Sequence, residues 1–157
     1  MKLTRSVGYA VGILLRVEAG GAAGPMTADS ISKGCKFPPR FLYRVLRRLV
    51  DAGLLQGVSG PRGGYSLAKK PRQIRLLDII LAVDEADDGP GLVPVQKSHK
   101  PAVSFINAVC RREIDRFRRE MGRITLARLR TEQNANGRSG KAAKRKPARA
   151  KARSQAS

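Results

Sequence analysis

The chain has 157 residues, 41% of them hydrophobic and 4% aromatic, which predicts one modest, mainly aliphatic core. Its net charge of +20 is too large to consist of paired surface charges and indicates a polyanionic partner or an anionic surface. No stretch approaches the ~20 apolar residues of a membrane span, and two distant cysteines provide no disulfide framework or zinc-ligand spacing. We therefore expect a cytoplasmic protein that neither spans a membrane nor binds a metal ion.

The first helix is predicted over residues 4–19, with Thr4 as its N-cap, because apolar residues repeat there at helical spacing. A Gly/Pro-rich break at 20–26 follows. Thr27 is then placed to cap a short helix over residues 28–33, which turns Ile31 inward and ends at Gly34.

The third helix is predicted from Pro39 to Ala52, because proline suits the first turn of a helix. Its apolar residues recur at i, i+3, i+4, i+7 and i+8, and Gly53 ends the run. The opposite side is cationic and carries four arginines: Arg40, Arg44, Arg47 and Arg48.

Two short strands, 54–58 and 65–68, flank the turn sequence SGPRGG at 59–64 and predict a β-hairpin with Arg62 at its tip. Residues 74–85 form the next predicted helix and residues 86–98 a Gly/Pro/Asp-rich loop. The longest predicted helix runs from Pro101 to Met121, and a short helix over 125–130 follows. A narrow apolar stripe on the long helix resembles a coiled-coil seam and predicts the dimer interface: Val103, Ile106, Cys110, Ile114, Phe117 and Met121.

This order of elements is that of a winged helix-turn-helix: a mainly α fold with a small β-hairpin wing and a long dimerisation helix. The cationic helix is about 20 Å long at ~1.5 Å per residue and fits the ~12 Å wide major groove. Arg40, Arg44 and Arg47 can bind guanine or phosphate. Free N–H groups and the positive dipole end at the helix N-terminus also favour phosphate. Gly60, Gly63 and Gly64 would let the wing approach the duplex closely.

The segments KLTRSVGYAVGILL, GLLQGVSGPRGGYSLAKKPRQIRLLDII and ITLARL resemble the Rrf-two family of bacterial transcription regulators, over roughly residues 1–130. The resemblance implies a homodimer that binds an inverted repeat in promoters, and we expect the protein to act as a repressor. It places Pro38, Pro39, Arg40 and Tyr43 at the start of the recognition helix and Arg62 in the minor groove. The implied wing contacts also include Ser59, Gly63 and Gly64, and the implied phosphate contacts are Lys2, Thr4 and Arg5.

The chain departs from this family in its cysteines. Many members bind an iron–sulfur cluster through three cysteines near the start of the long helix, whereas residues 86–108 contain none and offer only Asp87, Asp88 and His99. We therefore expect no cluster. Cys110 lies in the apolar stripe, where it is either a small buried hydrophobe or half of a redox-sensitive disulfide across a dimer.

Residues 131–157 hold eight Lys or Arg and one acidic residue, and the other 130 residues still carry +13. This tail contains little that is apolar and is predicted to be disordered and to add sequence-independent phosphate binding. The predicted organisation is a DNA-binding domain over 1–85, a loop over 86–98, dimerisation and terminal helices over 99–130, and the basic tail.

Three functions remain open from the sequence. The first is a sequence-specific, nucleoid-associated DNA-binding regulator. The second is an architectural nucleoid-type protein with little sequence preference, and the third is a protein-interaction module. An enzyme is not expected, because the single histidine leaves no plausible nucleophile–base pair.

Overall fold

The computed structural model describes residues 4–33, 38–61, 63–84 and 100–143. Within these ranges the chain is mainly helical, with one antiparallel hairpin. The elements in chain order are α1 (Arg5–Gly20), a 3-10 turn (Gly21–Ala23), α2 (Ala28–Ser32), α3 (Pro39–Asp51), β1 (Leu55–Val58), β2 (Gly64–Leu67), α4 (Leu76–Val83), α5 (Lys100–Arg123) and α6 (Leu126–Ala143). The predicted fold class and the order of elements are confirmed.

The core lies where α1, α3 and α4 pack against one another. Each helix contributes an aliphatic stripe, so α1 buries Ile13 and Leu14, and α3 buries Leu46 and Leu49 with no exposed surface. Ile31 of α2 is equally buried, as expected, and the Thr27 hydroxyl accepts from the Ser30 N–H at 3.2 Å to cap this helix. Gly34, predicted to end α2, lies outside the described residues.

The hairpin pairs Leu55 with Leu67 at its base and Val58 with Gly64 near its tip. A third segment joins it, because Met26 and Tyr65 exchange backbone hydrogen bonds of 2.9 and 2.8 Å. The wing is therefore anchored to the segment between α1 and α2. Gly53 lies two residues after the end of α3 and has a φ of +64°, a left-handed conformation that glycine adopts readily.

The predicted fourth helix begins two residues later than expected. Arg75 is extended and forms an isolated antiparallel bridge with Thr125. The Leu76 N–H donates to Ile124 O and the Leu126 N–H to Ile74 O. This pairing places Leu126, which has no exposed surface, in the core. It thereby docks the start of α6 onto the winged domain.

The expectation of a short helix over 125–130 followed by a disordered tail is wrong for residues 131–143, which continue α6 to Ala143. Residues 131–135 are exposed, so apolar burial does not explain the extension. Once Leu126 and Leu129 fix the first turns, each further residue adds a backbone hydrogen bond without a new nucleation cost. The low apolar content of this segment limits its packing but not its helix propagation. Residues 144–157 and the predicted loop at 86–98 lie outside the described residues.

Candidate nucleic-acid interface

Helix α3 separates its side chains into an apolar face and a cationic face. Leu42, Val45, Leu46 and Leu49 are at most 2% exposed, and they hold the helix against the rest of the domain. The side chains predicted to read DNA point to solvent, and Tyr43 is 54% exposed. Pro38, Pro39, Arg40, Arg44 and Arg47 are all exposed. The predicted reading surface therefore exists as one continuous outer side of a firmly packed helix.

The three outward arginines have different surroundings. The Arg44 guanidinium carbon lies 4.9 Å from the centre of the Phe41 ring, which in turn meets the Tyr9 ring edge-on at 5.1 Å. This cation–π contact restrains Arg44 before any ligand binds. Arg47 Nε lies 3.8 Å from Asp51 Oδ2 in an exposed, weak ion pair. Arg40 forms no ion pair with any residue in the described ranges.

Arg48 does not share the outer face, although the sequence pattern grouped it with the other arginines. Its side chain is half-buried, and Nη1 donates to the Val83 carbonyl oxygen at 2.7 Å. Val83 is the last residue of α4. Arg48 therefore satisfies an otherwise unpaired helix-end carbonyl and ties α3 to α4. The position one residue after Arg47 turns it by about 100° towards the domain.

The N-terminus of α3 offers fewer free amides than expected. Pro38 and Pro39 have no N–H, and the Phe41 and Leu42 amides both donate to the Pro38 carbonyl at 3.0 and 3.1 Å. The expected cluster of free N–H groups is therefore absent from the described first turn. Of the amides in this turn, that of Arg40 is the one available to a ligand. Attraction of phosphate at this end depends on the dipole and on arginine side chains.

Two wing glycines, Gly63 and Gly64, are needed for intramolecular packing. A Cβ on Gly63 would collide with the Val58 carbonyl oxygen, and one on Gly64 would lie 2.6 Å from the Met26 backbone. Gly64 also has a φ of +155°. The fold itself therefore requires glycine at these two positions, and their close approach to DNA stays a prediction. Ser59 is exposed at the tip, and Arg62 lies outside the described residues.

The start of α1 also differs in detail from the prediction. Thr4 precedes the helix in an extended conformation but does not cap it with its side chain. Its hydroxyl donates to Asp84 Oδ1 at 2.6 Å instead, because the end of α4 lies close by. Arg5 is exposed, as a phosphate contact requires, and Lys2 lies outside the described residues.

The predicted apolar stripe of α5 divides into two parts. Phe117 and Met121 pack against the core of the same chain, while Val103, Cys110 and Ile114 are half-buried. Ile106 is 56% exposed. The stripe missed Phe105 and Val109, which are 71% and 43% exposed and lie beside Ile106. The run FINAV carried this signal, but its apolar residues do not fit a narrow three-or-four spacing.

The distribution of possible ligand side chains decides whether a metal ion or an iron–sulfur cluster could bind. No group of three or more His, Cys, Asp or Glu side chains in the described ranges is arranged to hold a metal ion. The whole chain contains two cysteines, of which Cys110 is free and half-buried, and Cys35 lies outside the described residues, as do Asp87, Asp88 and His99. A [2Fe–2S] cluster typically has four ligands, mostly thiolates, so this donor set does not fit one.

A comparison of the sequence with protein-family models agrees with this arrangement of a cationic helix and a glycine-rich wing. A family model described as an iron-dependent transcriptional regulator, Rrf2, matches residues 3–132. The chain belongs to the Rrf2 family. The chain is 39% identical over 88 residues to the HTH-type transcriptional regulator IscR of Aliivibrio salmonicida, covering 56% of this chain and 52% of that protein.

IscR of Escherichia coli O1:K1 is 38% identical over 88 residues, with 56% and 54% coverage. This Rrf2 member therefore spans about half the length of the curated relatives it matches. Solved structures share its fold. IscR of T. potens superposes with a TM-score of 0.65 and is 24% identical, and the match covers 85% of this chain and 88% of that one. CymR, the global cysteine regulator of B. subtilis, gives a TM-score of 0.60, 21% identity and coverages of 84% and 98%.

Proposed function

We propose that this Rrf2 protein is a sequence-specific DNA-binding transcription regulator and acts as a repressor. The observation that carries the proposal is the outer face of α3, where Arg40, Tyr43 and Arg44 are exposed on a helix whose opposite face is fully buried. Such a helix can enter the major groove without unfolding any part of the core. Membership of a family of transcriptional regulators supports regulation as the outcome of binding.

We further propose that it binds an inverted repeat as a homodimer. The exposed Phe105, Ile106 and Val109 of α5 form an apolar surface of the kind that a second copy covers. A two-fold dimer presents two α3 helices to two half-sites, which gives the operator its symmetry. The half-buried members of the predicted seam would flank this contact: Val103, Cys110 and Ile114.

The proposed regulator works without an iron–sulfur cluster and without catalysis. Two cysteines in the whole chain do not supply the ligands of a cluster, so the iron dependence in the family description is not carried over to this member. No helix in the described ranges combines the length and the apolar character of a membrane span. We propose a cytoplasmic, nucleoid-associated location because the proposed binding partner is DNA.

Selection of binding sites from random duplex DNA tests the proposal directly. A specific dimer enriches a palindromic motif that it prefers by ~10³-fold or more over random DNA. An architectural protein, which the net charge of +20 would also suit, enriches no motif. That second result would contradict the proposal.

Variants then test which side chains read the motif. Arg40→Ala and Arg44→Ala should each weaken binding by ~1–3 kcal/mol in fluorescence anisotropy and relax preference at one position. Arg119→Ala is the matched control, because Arg119 is exposed on α5 and lies outside α3 and the wing. Equal losses in all three variants would indicate unspecific charge attraction.

The basic C-terminal segment is proposed to add sequence-independent phosphate binding. Residues 144–157 contain six Lys or Arg and no acidic residue. Deleting them should reduce the salt dependence of affinity by ~0.9 in logarithmic slope for each lost phosphate contact, with the preferred motif unchanged. An unchanged slope would assign the segment no role in binding.

A further inference from the structure

A groove of about 650 Å³ lies at the base of the wing and is distinct from the face of α3. It is bounded by the end of α1, the end of β2 and the turn that follows. The turn is held by the Gln73 amide, which donates to the Lys70 carbonyl at 2.8 Å. Its principal lining residues are Val17, Glu18, Leu67, Lys69, Lys70 and Gln73. The groove is larger than a single water requires and falls in the size range of small-molecule sites.

Glu18 is the unusual residue of this groove. Its side chain is only 6% exposed, and Oε1 accepts from Arg130 Nη1 of α6 at 2.5 Å. Its second oxygen, Oε2, is buried and has no hydrogen-bond partner. Buried carboxylate oxygens without a donor are rare and costly, because the hydration lost on burial is not replaced. A donor is therefore missing at Oε2.

The charges around the groove differ from one side to the other. On the α1 side, the Glu18 carboxylate and the negative dipole end of a 16-residue helix favour a cation. On the other side, Lys69 and Lys70 are exposed and favour an anion. The Gln73 Oε1 accepts from the Lys70 N–H at 3.2 Å, which leaves its amide NH₂ as an additional donor for an anion.

We propose that this groove binds a small zwitterion of the amino-acid class. Its protonated amine donates to the Glu18 carboxylate, and its carboxylate lies against Lys69, Lys70 and the Gln73 amide. Neutral apolar ligands would leave Oε2 without a donor, and simple anions would meet only the lysine side.

Arg130 makes the binding competitive. Its side chain is 52% exposed, so the guanidinium can turn to solvent and leave both carboxylate oxygens to the amine, because Oε2 is itself buried while the ion pair is in place. The ligand and the α6 arginine therefore share one carboxylate, which joins α1 to the helix that follows α5. Occupation of the groove changes this link at the base of the wing.

Calorimetric titration of the full chain without DNA tests the proposal, with 4-aminobutyrate, butylammonium and butyrate as probes at matched ionic strength. We expect saturable binding of 4-aminobutyrate, weaker binding of butylammonium and none of butyrate. Absence of saturable binding for all three would overturn the proposal. Equal binding of butyrate and 4-aminobutyrate would also overturn it, because lysine attraction alone would then suffice.

Two variants sharpen the result. Glu18→Gln should weaken 4-aminobutyrate binding by roughly 10- to 100-fold, since a charge-assisted hydrogen bond is lost. Arg130→Gln should strengthen it by roughly two- to fivefold, since the competing ion pair is removed. Glu113→Gln, an exposed carboxylate on α5, is the control and should change nothing. Unchanged affinity in both groove variants would place the site elsewhere. Because no DNA is present, these outcomes are independent of the proposed DNA binding.

Discussion

Helices α3 and α5 share an amphipathic pattern in the sequence but have opposite fates in the structure. Every large aliphatic residue predicted to face inward in the middle of α3 is buried within one chain, including Leu42 and Leu46. In α5, Phe105, Ile106 and Val109 remain exposed, and burial begins further along at Phe117. The winged domain thus completes its own core, whereas the N-terminal half of α5 does not. The difference identifies the part of the described chain that leaves a large apolar surface exposed.

Physical size supports this comparison. Single exposed apolar residues are ordinary on protein surfaces and require no explanation. Three large apolar side chains within five consecutive positions form a patch, and such patches mark interaction sites. By contrast, the exposed face of α3 is cationic and well solvated. This difference in polarity is the reason for proposing an anionic ligand for α3 and an apolar partner for α5.

A charge placed in the apolar patch of α5 gives the largest expected effect. Ile106→Glu should destabilise the dimer by about 4 kcal/mol, roughly a thousandfold in its dissociation constant, because an unpaired carboxylate would be buried at the contact. Light scattering after size-exclusion chromatography measures the change. Ser104→Glu, an exposed neighbour on the same helix, is the control. Dimers that persist equally in both variants would show that α5 is not the interface.

Truncation of a buried residue in α3 comes next. Leu46→Ala should lower the free energy of unfolding by about 3 kcal/mol in urea titration, since Leu46 has no exposed surface and a cavity would remain. Tyr43→Ala, on the exposed face of the same helix, should change it by less than ~0.5 kcal/mol. Similar losses in the two variants would contradict the division of α3 into a packed face and a ligand face.

The smallest effect concerns two adjacent arginines. Arg48→Met should lower stability by about 2 kcal/mol, because a charged hydrogen bond to the Val83 carbonyl is removed. Arg47→Met removes only an exposed ion pair, so it should leave stability within ~0.5 kcal/mol and weaken DNA binding instead. Measuring both properties for both variants separates the roles. A stability loss in Arg47→Met that equals the loss in Arg48→Met would remove the distinction.

Local chemistry explains why much of this molecule could be predicted. Helical spacing located α1, α3 and α5, the Thr27 hydroxyl marked the start of α2, and the SGPRGG turn located the wing. These signals depend on near neighbours in the chain, which the sequence displays directly. The cationic outer face of α3 follows from the same spacing, since residues opposite a buried stripe must face solvent.

Contacts between distant residues decided the rest. The sequence alone determined a winged helix-turn-helix whose third helix has an arginine-rich outer face. Only the tertiary structure separated Arg48 from Arg47, directed Thr4 to Asp84, and buried Glu18 beside Arg130, 112 positions away in the chain. It also showed that Gly63 packs against the hairpin backbone and Gly64 against the Met26 backbone. The physical reason is that the partner of a polar group or a Cβ-free position is set by packing, and packing joins residues whose separation in sequence carries no signal.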